Sequence, residues 1–165
     1  LSESEPTQRR KIDFDNWRDV SADINQLIDG GYTATGNWNL QQCCDHLNDW
    51  LGYTLDGYPK PSIPVRILFV VLRKVTGERA FQTLLKDRTM KPGLPTAPKT
   101  VHKDAHDDVT AVMTYQATID RFESYDGPIH SSPLLGSMTK SEAEQLHHVH
   151  AALHLSFLWP RDRSV

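Results

Sequence analysis

Apolar residues recur at helical spacing through most of the chain. From Asp15 the positions Trp17, Val20, Ile24, Leu27 and Ile28 share one face of a 3.6-residue period and Gly30-Gly31 supplies the stop, which predicts a first helix. A second is predicted from about Asn39, where Asn39 and Gln42 make a capping-box-like start, to about Leu55, before Gly57 and Pro59 end it. Ile63 to Val75 is apolar almost all the way round, and across Gly77 the piece from Glu78 to Lys86 is amphipathic. Both read as helices packed over the main core. Arg88 to Lys103 carries Pro92, Gly93, Pro95 and Pro98 and reads as a long irregular crossover. Asp104 is placed to cap a further helix bearing Val109, Val112, Met113, Ile119 and Phe122, ended by Gly127-Pro128. Thr139 and Glu142 form a T-x-x-E capping box for a last helix running towards Pro160. No stretch alternates with the period of a strand.

Four principal helices, with a helical insertion after the second and a long crossover, make an all-α bundle. Residues 1–14 are polar and read as a tail lying extended against the domain, and residues 15–160 as one domain, which a length of 165 residues suits. With 18 Lys and Arg against 21 Asp and Glu the formal charge is −3, so no basic surplus points to nucleic acid. The longest apolar run, Ile67 to Leu72, falls far short of the about 20 residues of a membrane span, so no membrane partner is expected either. A chain opening at Leu1 is compatible with a removed leader. The adjacent Cys43 and Cys44 cannot form a disulfide framework, and they tilt the expected compartment towards the reducing cytoplasm.

Histidine is the unusual residue: there are eight, and His147, His148, His150 and His154 fall in an eight-residue window of the last helix. On a helical wheel His150 and His154 sit inside the apolar stripe of Leu146, Val149, Leu153 and Phe157, with His147 beside His154 and His148 near the polar edge. Imidazoles at i and i+4 lie one above the other and can chelate one divalent ion. His46 lies at the rim of the core face of the second helix, beside Trp50. From there it can reach across a helical bundle and complete a three-histidine set with an open coordination position. The plain alternative is that these are core histidines. For His46 alone that reading is the stronger; for the pair the two stand level, because desolvating two imidazoles without a ligand is costly.

Other constellations carry less. His102 and His106 repeat the H-x-x-x-H spacing, but Lys103, Asp104, Asp107 and Asp108 surround them with charge and suggest a solvated helix entrance. Glu144-x-x-His147 is half of a di-iron carboxylate site without its second half. H-E-x-x-H, G-x-S-x-G, C-x-x-C and the P-loop pattern are absent, and Cys43 and Cys44 lie on an apolar arc, where core packing is the commoner role.

The blocks G-N-W-N-L-Q-Q-C-C-D-H-L (Gly36 to Leu47), L-D-G-Y-P (Leu55 to Pro59), S-P-L-L-G-S-M-T (Ser132 to Thr139) and L-H-H-V-H-A-A-L-H-L-S-F-L (Leu146 to Leu158), in this order, resemble the DinB/YfiT-like superfamily of metalloenzymes. The resemblance is nearest to a branch built on a domain of unknown function and covers most of the chain from about residue 9. It implies a four-helix bundle with one long crossover, and a divalent metal ion, zinc or nickel, held by His46, His150 and His154. It also implies relatives that use a low-molecular-weight thiol as co-substrate in transferase or isomerase reactions. The chain departs from the pattern at Ala152 and Leu153, where an acidic residue and a further His are common, and at Ser132, where a His often precedes the turn. Those changes leave the site without that pattern's orienting carboxylate and acid-base group.

Three neutral imidazoles would leave such an ion its full charge, suited to hydrolysis or thiol transfer. Arg66, Arg73 and Lys74 are candidates for a thiol's acidic groups, against the commoner reading of solvated charges. The expected function is therefore a divalent-metal-dependent enzyme acting on a small molecule. The alternative is a non-catalytic metal-binding or interaction module, homodimeric through the apolar insertion.

Overall fold

The computed structural model describes residues 8–60, 62–93 and 96–161; residues 1–7 of the expected tail, Pro61 and Pro95 lie outside the described residues. The chain is mostly helical. In order it forms α1 (Trp17–Gly30), β1 (Tyr32–Ala34), α2 (Leu40–Asp56), α3 (Ile63–Leu72), α4 (Glu78–Asp87), α5 (Asp108–Glu123), α6 (Lys140–Leu155) and β2 (Leu158–Pro160). No helix among the described residues is long and apolar enough to cross a membrane. α2 packs against α5 and α6, and α1 against the same two helices. Their apolar faces share one core that includes Val20, Leu27, Leu47, Leu51, Tyr115, Ile119, Phe122 and Leu155.

Local chemistry sets most helix starts. Asn39 and Gln42 close a full capping box on α2, and Thr139 and Glu142 do so on α6, each satisfying two backbone N–H groups that the first turn would otherwise leave unpaired. The cap of α5 is Asp107 rather than the expected Asp104: its carboxylate accepts from the Thr110 N–H at 2.8 Å. Asp104 is not free to start a helix because the residues around it are tied along α2. Gln41 donates to the Lys103 carbonyl and accepts from the Ala105 N–H, and Gln42 donates to the His102 carbonyl.

Two further expectations are corrected. A small antiparallel sheet exists, pairing Tyr32 with Pro160, Thr33 with Trp159 and Ala34 with Leu158. Strands of three residues are too short to show an alternating period, and their pairing is set by where α1 and α6 end. The insertion does not bury its apolar run: Ile63, Ile67, Leu68, Val71 and Val75 of the α3 region are all more than half exposed. Its helix does not break at Gly77, but continues through a π-helical turn, Arg73–Gly77, into α4, which docks through the buried Phe81. Upstream of α1, Arg10 forms a two-pronged ion pair with Asp23 at 2.7 and 2.8 Å, and Phe14 is buried in the common core.

Candidate metal centre

Three histidines converge where the start of α2 faces the end of α6. His46 projects from α2 and is buried, while His150 and His154 project one turn apart from α6 and are half-buried. Their potential ligand atoms all lie within 4.8 Å of one another. The Nε2 atom of His150 is 3.1 Å from that of His46 and 3.0 Å from that of His154. A tetrahedral ion with bonds of about 2.0–2.1 Å to nitrogen spaces neighbouring ligands by about 3.3 Å, close to the two separations made by His150.

Proton accounting separates this cluster from an ordinary hydrogen-bond network. A carbonyl oxygen only accepts, so His46 Nδ1–H donates to the Thr100 carbonyl at 2.8 Å, and its neutral ring presents a bare lone pair at Nε2. His150 Nε2 then has one site to serve two contacts. It can donate to one neighbour, or accept from His154, but no set of neutral tautomers makes both short contacts proper hydrogen bonds. Protonation is opposed as well. Burial pushes the His154 imidazole down to about 3, with His46 adding to the effect, and drives His150 well below its ordinary value, with its histidine neighbours adding repulsion. His46 is lowered too, chiefly by burial. Three neutral nitrogens facing a common point suit a divalent cation, which accepts all three lone pairs.

The surroundings hold this geometry. Trp38, one residue before the α2 cap, stacks on His154 with ring centroids 5.1 Å apart and planes 11° apart, and lies 4.9 Å from His46. The β1–β2 pairing fixes the linker carrying Trp38 to the chain just after α6, and Thr35 N–H donates to the Phe157 carbonyl at 2.9 Å. The crossover is stapled along α2 by Gln41, Gln42 and the Asp49–His102 pair at 2.7 Å, which delivers the Thr100 carbonyl to His46. A carbonyl that accepts from one ring nitrogen of a histidine sets the other nitrogen free as a lone pair. Trp38 was signalled only by its place in the G-N-W-N-L block, and a backbone carbonyl such as that of Thr100 leaves no mark in a sequence.

The remaining sequence candidates are placed elsewhere. His102 and His106 do not form a helical pair: both precede α5, with His106 3.4 Å from Asp45. His147 is buried and, because Thr54 hydroxyl donates to the Trp50 carbonyl, its Nε2–H donates to Thr54 Oγ1 at 2.9 Å. His148, expected near a polar edge, is buried edge-on to Trp17 at 4.6 Å, since α1 covers that side of α6. Cys43 and Cys44 are buried free thiols, with Cys43 pushed up to about 12 by burial and Cys44 well above its ordinary value, so neither is an available nucleophile. Among the described residues no fourth His, Cys, Asp or Glu joins the three-histidine group.

Residues 6–161 match the family described as "Protein of unknown function (DUF1569)", and the chain belongs to that family. Comparison with curated proteins and with solved structures gives no match.

Proposed function

We propose that His46, His150 and His154 hold one divalent metal ion, zinc or nickel, in an open site, and that this DUF1569 chain is a metal-dependent enzyme acting on a small molecule. In this reading residues 15–160 form one domain of the DinB/YfiT type, whose four-helix bundle is α1, α2, α5 and α6. The observation that carries it is the convergence of three neutral Nε2 atoms whose protons cannot satisfy one another. When bound, such an ion supplies Lewis acidity and keeps its +2 charge among neutral ligands, which suits hydrolysis or thiol transfer. The chain's own part is positioning. Thr100 orients His46, Trp38 limits the movement of His154, and the indoles of Trp38 and Trp50 shield the rings from solvent. A three-ligand set leaves a position for substrate, whereas a structural site is closed by four.

Metal analysis of protein purified without chelator or His tag, with spectroscopy of the cobalt form, tests the assignment. One ion per chain is expected, lost in the triple Ala variant, with an open-shell cobalt spectrum. Undiminished metal in that variant would overturn the ligand set. A second reading, a non-catalytic metal-binding or interaction module that pairs as a homodimer, is favoured by the exposed apolar face of α3. Chelation separates the two: an enzyme of this size keeps its helical signal without metal, and a structural site does not.

A further inference from the structure

A second site is built where the insertion meets the turn before α6. Tyr58, Lys60, Arg66, Phe69, Arg73 and His130 line part of a cavity of about 280 Å³, closed further by Pro59, Val70, Ser131 and Pro133. Among the described residues no carboxylate lines it. Among the described residues neither Lys60, Arg66 nor Arg73 has an ion-pair partner, although the chain as a whole carries more acidic than basic residues. A concave surface lined by one sign of charge concentrates the opposite sign.

The stem of Arg73 runs alongside two glycine backbones: a Cβ on Gly77 would lie 3.4 Å from Arg73 Cγ, and one on Gly136 3.4 Å from Arg73 Cδ. Gly136 has φ +91°, which disfavours any other residue, and a Cβ on Gly77 would collide with the Leu134 carbonyl. The π-helical turn that starts at Arg73 therefore seats directly on the Pro133–Gly136 turn, and π-turns are frequent at functional sites. A guanidinium whose stem packs along backbone and whose fork has no ion-pair partner among the described residues suits a planar or tetrahedral oxyanion.

We propose that this cavity binds a small organic anion, a phosphate or carboxylate, with its charged group on Arg73 and Arg66 and its apolar part against Phe69 and Pro133. The proposal is independent of the metal centre. Trp50 stands between the two sites, 6.2 Å from the Tyr58 ring and 6.3 Å from the His150 ring.

The test is a chemical-shift titration of the isotopically labelled, chelator-treated full chain with phenyl phosphate, benzoate and inorganic phosphate at constant ionic strength. Saturable shifts at the amides of Gly77, Ser131 and Gly136 are expected, with phenyl phosphate or benzoate binding at least about tenfold more tightly than inorganic phosphate. Which of the two organic probes wins tells phosphate from carboxylate. Arg73→Gln weakens the better probe about tenfold or more, and Arg73→Lys, which keeps the charge and loses the fork, falls between. Should Arg73→Gln fail to fold, the double variant Lys60→Gln with Arg66→Gln, both exposed, carries the same expectation. No saturable shift at those amides, or unchanged affinity in a folded variant, overturns the proposal.

Discussion

α6 carries two pairs of histidines that share burial and lowered basicity and differ in everything chemical. His147 and His148 are more buried than His150 and His154, and burial pushes them down to about 3 and about 4. Yet His147 ends in a satisfied hydrogen bond to Thr54, and His148 Nε2 is buried with no hydrogen-bond partner. One turn further on, His150 and His154 meet a third imidazole nitrogen to nitrogen. A perturbed histidine is therefore not by itself a site. What distinguishes one is convergence of lone pairs without enough protons to share.

The largest expected effect would break the comparison outright. His150→Ala should weaken metal binding by about 100-fold or more, while His147→Leu, one turn away, should leave stoichiometry and affinity as they were. Equal losses in the two variants would mean that buried histidines of α6 act on the metal only through the fold.

A smaller effect concerns the pair that does not converge. The folded-state basicities of His147 and His148 lie below the unfolded value of about 6.5, so the unfolded chain takes up protons first as the pH falls. Stability is fully present above about pH 6.5 and declines below it, by about 2 kcal/mol for each of the two between pH 6.5 and 5. Urea unfolding of chelator-treated protein across this range should show that slope, reduced by about half its His147–His148 share in His147→Leu. A flat profile would mean that these rings are not buried neutral.

The smallest effect sharpens the contrast within the pair. His148→Phe removes a buried ring nitrogen that has no partner and keeps the edge-on contact with Trp17, so it should be neutral or raise stability by about 1 kcal/mol with metal content unchanged. A loss of more than about 1 kcal/mol in urea unfolding would reveal an interaction of His148 Nε2 that the packing does not show.

The readable parts of this chain are those governed by near neighbours. The Asn39–Gln42 and Thr139–Glu142 boxes form because a side chain reaches a backbone N–H three residues away, a geometry that any helix start provides. The His150–His154 pairing follows in the same way from helical pitch. His46 was legible as a rim position, but its burial was not, since Trp38 and the crossover residue Thr100 cover it from outside α2. The same limit explains Asp107 in place of Asp104, the buried His148 and the exposed α3.

The amino-acid sequence by itself determined the helices, most of their caps and the i, i+4 spacing of two histidines, because each depends on contacts within about one helical turn. Only the tertiary structure decided what those faces meet. It brought His46 within hydrogen-bond distance of His150 across 104 positions of chain and set the Thr100 carbonyl on the one nitrogen that had to carry a proton. It also stacked Trp38 on His154, laid the stem of Arg73 alongside Gly77 and Gly136, and left α3 uncovered. These placements depend on the docking of elements distant in sequence. A single side chain's type constrains which partners are favourable and not which of them the fold delivers.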